Sequence, residues 1–260
     1  MRELFAGTAD CYRRFRPPYP AEAFDWIVAQ HGLDGAGRLL DCGCGTGNVF
    51  VGLARWFSHI VAMDPDDAML AAARLTAADN GIEAITFAHG RAEDLPDTMV
   101  PLRMAAFGAS FHWTDRITVA RRLDRLVEPE GAIIILSPSS FWTGRVCGWK
   151  ATVIETIKRW LGDERRAGVG IYEAGPPHQE CLMETPFCAL AETTFVQPHV
   201  WTTDGIVGYL FSTSFASKAV LADKAEDFER DLRARLSRLS PAGRFEDEIK
   251  YSVISARRAG

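Results

Sequence analysis

The sequence lacks the features that would build a secreted, metal-bound or membrane-spanning protein. Six cysteines in 260 residues (Cys11, Cys42, Cys44, Cys147, Cys181, Cys188) are too few and too scattered for a disulfide framework. Cys42 and Cys44 form a C-x-C pair, but no second pair stands at a zinc-ligand spacing, so no metal is expected. Apolar runs such as Ala132–Leu136 fall far short of the ~20 residues that a membrane helix needs. The opening MRELFAGTADCYRRFRPP has no apolar h-region of a secretory signal, so the expectation is a cytoplasmic protein with no membrane partner. Basic charge is also short, with 29 Lys and Arg against 34 Asp and Glu for a net −5. A nucleic-acid backbone needs a concentrated basic face, so no nucleic-acid partner is expected.

What is present is an ordinary globular composition, 47% apolar and 24% charged. From residue 38 the chain alternates short apolar stretches with helical periodicity. Strands are expected at Arg38–Cys42, His59–Asp64, Ala84–His89, Arg103–Ala109 and Gly131–Ser137. Helices are expected between them, over Asn48–Phe57, from Pro65 to Gly81, and from Thr114-Asp115 to about Val127. Two more strands, near Thr193–Trp201 and at Ile249–Ala256, flank an amphipathic helix over Ala222–Leu239, and the last strand reads as an edge. A β-α-β-α rhythm gives an α/β fold, a parallel sheet with helices on both faces. One domain over 1–260 is expected: an N-terminal arm and helix (1–37), a core (38–137), a lid insertion (138–186) with a helix near Trp149–Leu161, and the rest of the core (187–260).

The informative segment is Asp41-Cys42-Gly43-Cys44-Gly45-Thr46-Gly47-Asn48, between the first strand and its helix. Glycines there let the backbone turn sharply and approach a ligand closely. A dinucleotide loop reads G-x-G-x-x-G, whereas these glycines give G-x-G-x-G with Asn48 at the sixth place. An acidic residue ahead of the loop suits a ligand carrying an ammonium group better than one presenting a pyrophosphate.

This loop matches the [DE]-x-G-x-G-x-G signature of class I S-adenosylmethionine-dependent methyltransferases, which the chain resembles over nearly its whole length. The resemblance implies a Rossmann-like, doubly wound, seven-stranded sheet, mostly parallel with one antiparallel strand near the C-terminus. It implies S-adenosyl-L-methionine as cofactor, with Asp41, Gly43, Gly45 and Gly47 at the cofactor and Asp64 on its ribose. Pro65 and Met69 would line the adenine. Gly90-Arg91-Ala92-Glu93-Asp94-Leu95-Pro96 is similar to the family's G-x-A-E-x-L-P, which would bring Ala92 and Glu93 to the adenine. Ala109-Ser110-Phe111-His112-Trp113 follows the fourth strand, where the sulfonium methyl points, so Ala109 and Phe111 are expected at the cofactor. The arm, Tyr12-Arg13-Arg14-Phe15-Arg16-Pro17-Pro18-Tyr19-Pro20, resembles that of a bacterial subgroup including trans-aconitate-methyltransferase-like and natural-product enzymes. There the arm folds over the cofactor, so Tyr12 and Arg16 would meet its methionine end and Tyr19 the pocket wall.

Each residue also has a plainer reading. Asp41 and Asp64 can serve as helix caps, and Asp66 and Asp67 can serve the helix dipole. His112 can act as a general base for a hydroxyl or amine acceptor, or simply wall the site with Trp113. His178 is the alternative base, from the lid, and Trp142 follows the fifth strand at the open end of the sheet. Trp113, Trp142, Tyr19 and His178 are therefore the candidate acceptor contacts. Residues 141–184 carry six basic side chains and six acidic ones, so lid charge does not choose the acceptor. The expected activity is methyl transfer to an oxygen or nitrogen of a small molecule, such as an aminosugar or other secondary metabolite. A carboxylic-acid O-methyltransferase, a nucleic-acid methyltransferase and a non-catalytic cofactor-binding module are the alternatives.

Overall fold

The structure is a computed structural model that describes residues 5–99, 101–142, 146, 148–168, 170–173 and 175–259. In chain order the elements begin with α1 (Ala9–Phe15), α2 (Ala21–His31), β1 (Arg38–Cys42), α3 (Asn48–Leu53), β2 (His59–Asp64), α4 (Asp67–Asp79) and β3 (Ile85–His89). They continue with β4 (Leu102–Gly108), α5 (Arg116–Leu123), β5 (Val127–Pro138), α6 (Trp149–Leu161), β6 (Arg166–Ala167), β7 (Gly170–Ile171) and α7 (His178–Met183). They end with β8 (Ala189–Thr202), α8 (Thr203–Phe211), α9 (Lys218–Leu221), α10 (Ala225–Leu239) and β9 (Arg244–Arg257). Contacts divide the chain into two compact units. One holds Pro18–Pro138, Gly175–Phe195 and Tyr251–Gly260; the other holds Met1–Pro17, Ser139–Ala174 and Val196–Lys250.

The seven-stranded sheet has the order β3-β2-β1-β4-β5-β9-β8. β1 pairs parallel with β2 and β4, β2 with β3, and β4 with β5, whereas β9 runs antiparallel to β5. This is the Rossmann-like class I methyltransferase arrangement. Chain order moves outward from β1 to β3 and then restarts on the other side at β4. The crevice beyond the ends of β1 and β4 is thus the topological switch point where ligands of open α/β sheets bind. Alternate strand residues feed two cores, because successive side chains point to opposite faces. Leu39, Ile60, Met104 and Ile134 pack with Phe24, Phe50, Leu53 and Leu70 of α2, α3 and α4. Leu40, Val61, Ala105 and Ile133 pack with Val119 and Leu123 of α5 and Leu182 of α7.

Three expectations need correction, and the arm proves to carry a short helix ahead of its prolines. β9 is not an edge strand: it lies between β5 and β8, and β8 is the edge. Its first half carries Glu246, Asp247 and Glu248, a polar run that hides its membership in the sheet. The arm contains a helix, α1, which stops at Phe15 because Pro17 and Pro18 hold Arg16 extended. The helix after β1 is short, since α3 ends at Leu53 and tightens into a 3₁₀ turn over Ala54–Trp56. Pro65 stands outside α4, whose N-cap is Asp66, with its carboxylate accepting from the amides of Ala68 and Met69.

The other unit is built on aromatics and an amphipathic helix. On α10, Phe228, Leu232 and Leu236 are buried at a spacing of four. Phe141 packs against Trp149, Trp201 and Tyr209, with ring centroids 4.6–5.3 Å apart. Cys147 and Arg145 lie outside the described residues.

Candidate active site

The glycine loop is folded back over the end of β2. The amides of Gly43 and Cys44 both donate to the Met63 carbonyl, at 2.8 and 2.9 Å. A Cβ on Gly43 would stand 2.6 Å from the Ser110 Cβ. Ser110 belongs to the β4 turn, and its hydroxyl donates to the Cys42 carbonyl at 2.7 Å, tying the two loops at the switch point. Gly47 has φ +103°, open to glycine and strained for other residues, and a Cβ there would stand 2.3 Å from the Phe50 ring.

Two carboxylates organise this loop. Asp64 Oδ2 accepts from the Gly45 amide at 2.9 Å and its Oδ1 from the Asp66 amide at 2.9 Å. It therefore joins the glycine loop to the turn that begins α4. Asp41 is fully buried, and its Oδ2 accepts from the Phe50 amide in the first turn of α3 at 3.0 Å. Its Oδ1 has no partner among the described residues, and neither does the buried Thr46 hydroxyl. Burial, with Asp64 nearby and against the help of the Phe50 amide, pushes the Asp41 carboxyl up to about 7. A buried carboxylate with a vacant acceptor oxygen is costly until a cation or donor meets it. The loop thus suits a small positively charged ligand, such as one bearing an ammonium and a sulfonium.

The other expected residues divide between the two units. In the sheet unit, Pro65 offers its carbonyl to His89 Nε2 at 3.0 Å, and Met69 is buried. Ala92 is buried, and Glu93 accepts from the Asp115 amide at 3.0 Å and from Arg91 Nε at 3.3 Å. Burial works against the Glu93 carboxylate, but those bonds prevail and lower its pKa. Ala109 holds φ +56°, a left-handed conformation unusual for alanine, immediately beyond β4. Phe111 is fully buried, 4.8 Å from the Phe107 ring and 5.4 Å from His178. His112 packs 4.6 Å from the Trp113 ring and 6.4 Å from His178. Phe111, His112, Trp113 and His178 therefore form one cluster. Tyr19 reaches the Leu136 carbonyl at 3.4 Å and lies edge-on to Tyr251.

In the other unit, the Arg16 guanidinium lies over the rings of Tyr12 and Tyr209, at 4.5 and 4.7 Å, and donates to Ser212 Oγ and carbonyl. Trp142 packs edge-on to Phe215 at 5.7 Å.

Two residues escaped the sequence reading. Ser110 left no signal beyond its place between Ala109 and Phe111. Arg116 holds His178 through Nδ1 at 3.4 Å and also donates to the Pro176 carbonyl. Among the described residues no group of three ligating side chains could hold a metal, and no helix is long and apolar enough to cross a membrane. A cavity of about 820 Å³ lined by Val127, Pro129, Pro186 and Arg258 opens at the start of β5. That is the end of the parallel strands opposite the glycine loop, and it contains none of the expected residues.

Comparison with known proteins agrees with this geometry. Residues 39–131 match the sequence profile of a methyltransferase domain. Uncharacterized methyltransferases of Mycobacterium tuberculosis and Mycobacterium bovis are 26% identical over 240 residues, 90% of this chain and 87% of theirs. A candidate type II methyltransferase from Anaeromyxobacter dehalogenans shares the fold at TM-score 0.58 and 24% identity, over 94% of this chain and 98% of its own. A methyltransferase from Geobacter sulfurreducens, solved with S-adenosyl-L-homocysteine, does so at TM-score 0.55 and 17% identity, over 100% and 99%. With the sheet order and the loop that carries Asp41, residues 39–131 are thus similar to a methyltransferase domain and the chain has the fold of class I S-adenosylmethionine-dependent methyltransferases.

Proposed function

We propose that the chain transfers a methyl group from S-adenosylmethionine to an oxygen or nitrogen of a small-molecule acceptor. The observation that carries this reading is the unpartnered, buried Oδ1 of Asp41 beneath a glycine loop at the switch point. When bound, the sulfonium supplies an activated methyl group for in-line displacement. Asp41 faces its positive end, and Gly43, Gly45 and Gly47 keep the loop low enough for close approach. Asp64 spends one lone pair of each oxygen on the Gly45 and Asp66 amides, leaving the others for ribose hydroxyls. Pro65, Met69, Ala92 and Glu93 border the adenine, and Ala109 and Phe111 border the methyl end.

His112 accepts the proton that a hydroxyl or protonated amine acceptor must lose, supported in position by Trp113. Within the sheet unit, Tyr19, Trp113 and His178 serve as the acceptor contacts. The acidic balance of the chain favours a small molecule over a nucleic acid, in keeping with a cytoplasmic enzyme of secondary metabolism.

Calorimetry with S-adenosyl-L-homocysteine tests the cofactor site. Micromolar binding that weakens in Asp41→Asn and Asp64→Ala is expected. An unchanged affinity in both variants would overturn the assignment. Incubation with acceptor libraries, read by mass spectrometry for the gain of one methyl in place of hydrogen, identifies the acceptor.

A further inference from the structure

The cavity at the start of β5 lies wholly within the sheet unit. The pairing of Ile133 with Ala256 sets the first residues of β5 beside the last residues of β9. Two successive arginines at the end of β9 line the cavity, and they differ in what they hold. Arg258 spends all five of its N–H donors. Nε donates to Asp124 Oδ1 at 2.6 Å, and Nη1 to the carbonyls of Glu128 and Pro129 at 2.7 and 3.2 Å. Nη2 donates to the carbonyls of Asp124 and Val127 at 2.6 and 2.9 Å. Its charge is met by Asp124, so Arg258 is a fixed wall with nothing left for a ligand.

Arg257 is incomplete by comparison. Its Nε and Nη2 donate to His31 Nδ1 at 3.3 and 3.0 Å, and Nη2 also donates to the Gln30 carbonyl. Among the described residues its Nη1 has no acceptor and its guanidinium no carboxylate. His31 brings no counter-charge. Burial, then the Arg257 and Arg103 charges, lower its pKa to about 4, so the ring is neutral at pH 7. The other uncompensated charge on the cavity is Glu130, which is exposed and in no ion pair among the described residues. Glu130 and Arg257 therefore present opposite, unjoined charges to one cavity. Val127, Pro129 and Pro186 make much of the remaining wall apolar.

We propose that this cavity binds an apolar α-amino acid, its carboxylate on Arg257 Nη1, its ammonium on Glu130 and its side chain against Val127, Pro129 and Pro186. The residues that line the cavity include two acids and two bases, which favours a ligand without net charge. A bare anion gains Arg257 but meets Glu130, and a bare cation has the reverse difficulty. A zwitterion gains at both. The free edge of a guanidinium suits a carboxylate, and a mostly apolar wall with a few placed polar groups is usual for small-molecule sites. The volume of about 820 Å³ falls in the range of roughly 300–1,000 Å³ typical of them. The cavity stands at the end of the sheet opposite the glycine loop, so the proposal does not depend on the methyl-transfer reading.

L-Leucine serves as the probe. It is compared with 4-methylpentanoate, which lacks the ammonium, 3-methylbutylamine, which lacks the carboxylate, and glycine, which lacks the apolar body. Each is titrated into the full chain by ligand-observed NMR, with and without saturating S-adenosyl-L-homocysteine, which carries an amino-acid end of its own. Leucine is expected to bind at least about fivefold more tightly than each of the other three, the scale of one charged or apolar contact. Glu130→Gln, at an exposed position, should bring leucine down to the affinity of 4-methylpentanoate. Arg257→Met should bring it down to that of 3-methylbutylamine. Ala259→Trp, also at an exposed position, should fill the cavity and abolish binding. Melting temperatures near that of the native protein confirm that the variants fold. Undetectable leucine binding, equal affinity for leucine and any of the other probes, displacement by S-adenosyl-L-homocysteine, or native affinity in Glu130→Gln or Ala259→Trp overturns the proposal. S-adenosyl-L-homocysteine affinity is read on the same samples. Its absence in the native protein would count against methyl transfer and leave the leucine result standing on its own.

Discussion

The carboxylate of Asp64 and the amide of Gly45, 19 residues apart in sequence, are joined at 2.9 Å. With the matching bond to the Asp66 amide, one side chain holds the glycine loop and the start of the β2–α4 turn together. Asp64 is 7% exposed, so these bonds form largely out of water, where removing the acceptor strands two donors.

Asp64→Ala should therefore act on fold and ligand together. A stability loss of about 2–6 kcal/mol is expected from two stranded amides, each costing about 1–3 kcal/mol, in chemical denaturation. S-adenosyl-L-homocysteine should bind at least about tenfold more weakly, since the ribose partner and the loop position are both lost. A variant destabilised to this extent with native affinity would confine Asp64 to a structural role.

Asp41 predicts a pH dependence of both stability and binding. Its carboxyl is raised from 3.8 to about 7, mainly by burial. Between those values the native protein holds a proton that the unfolded chain has released. Stability of the ligand-free protein accordingly falls as pH rises through that window and levels above about 7. A cation at Oδ1 favours the ionised form, so S-adenosyl-L-homocysteine affinity should rise with pH below 7, by up to about tenfold per unit. Asp41→Asn should flatten both profiles. Calorimetry and denaturation on either side of pH 7 measure them.

Backbone conformation gives an opposed pair of variants. Ala109 has φ +56°, where a Cβ costs roughly 1–2 kcal/mol. Ala109→Gly removes that strain but loosens the unfolded chain, for a net gain of about 0.5–1 kcal/mol. Gly47→Ala does the reverse at φ +103°, with its Cβ 2.3 Å from the Phe50 ring. A loss of about 2–4 kcal/mol is expected from strain and overpacking together. Thermal melts should move in opposite directions for the two.

How much of this was legible depends on whether the deciding contact was local. β1, the loop and β2 were readable because Leu39, Leu40, Val61 and Ala62 form unbroken apolar runs beside the glycines. The place of β9 was not, because a strand's neighbour is chosen by distant pairing such as Ile135 with Ile254. The acidic Glu246–Glu248 run argued against a strand there. The same limit hid the ion pairs of the lid segment. Six bases and six acids in residues 141–184 balance as a count, yet Lys150 and Arg159 find their acids at Asp247 and Asp231, outside that segment.

The two histidines of the Phe111–Trp113 cluster should separate in mutagenesis. Burial and then the Arg116 charge lower the His178 pKa from 6.5 to about 4, so its ring is neutral at pH 7. Arg116 is always a donor, so Nδ1 must accept and the ring proton resides on Nε2. A ring so tautomerised presents a donor and is a poor base. Its depressed pKa adds stability that is lost as pH falls from 6.5 towards 4, because the unfolded chain then binds the proton first. His178→Gln, which can still donate, should change kcat by less than about tenfold and flatten that acid limb. His112→Ala should instead reduce kcat by about 10²-fold or more, the usual contribution of a positioned base, with S-adenosyl-L-homocysteine affinity retained. Turnover within a fewfold of native in His112→Ala, measured under saturating acceptor, would reduce His112 to a wall of the site beside Trp113. A larger loss in His178→Gln than in His112→Ala would exchange the two roles.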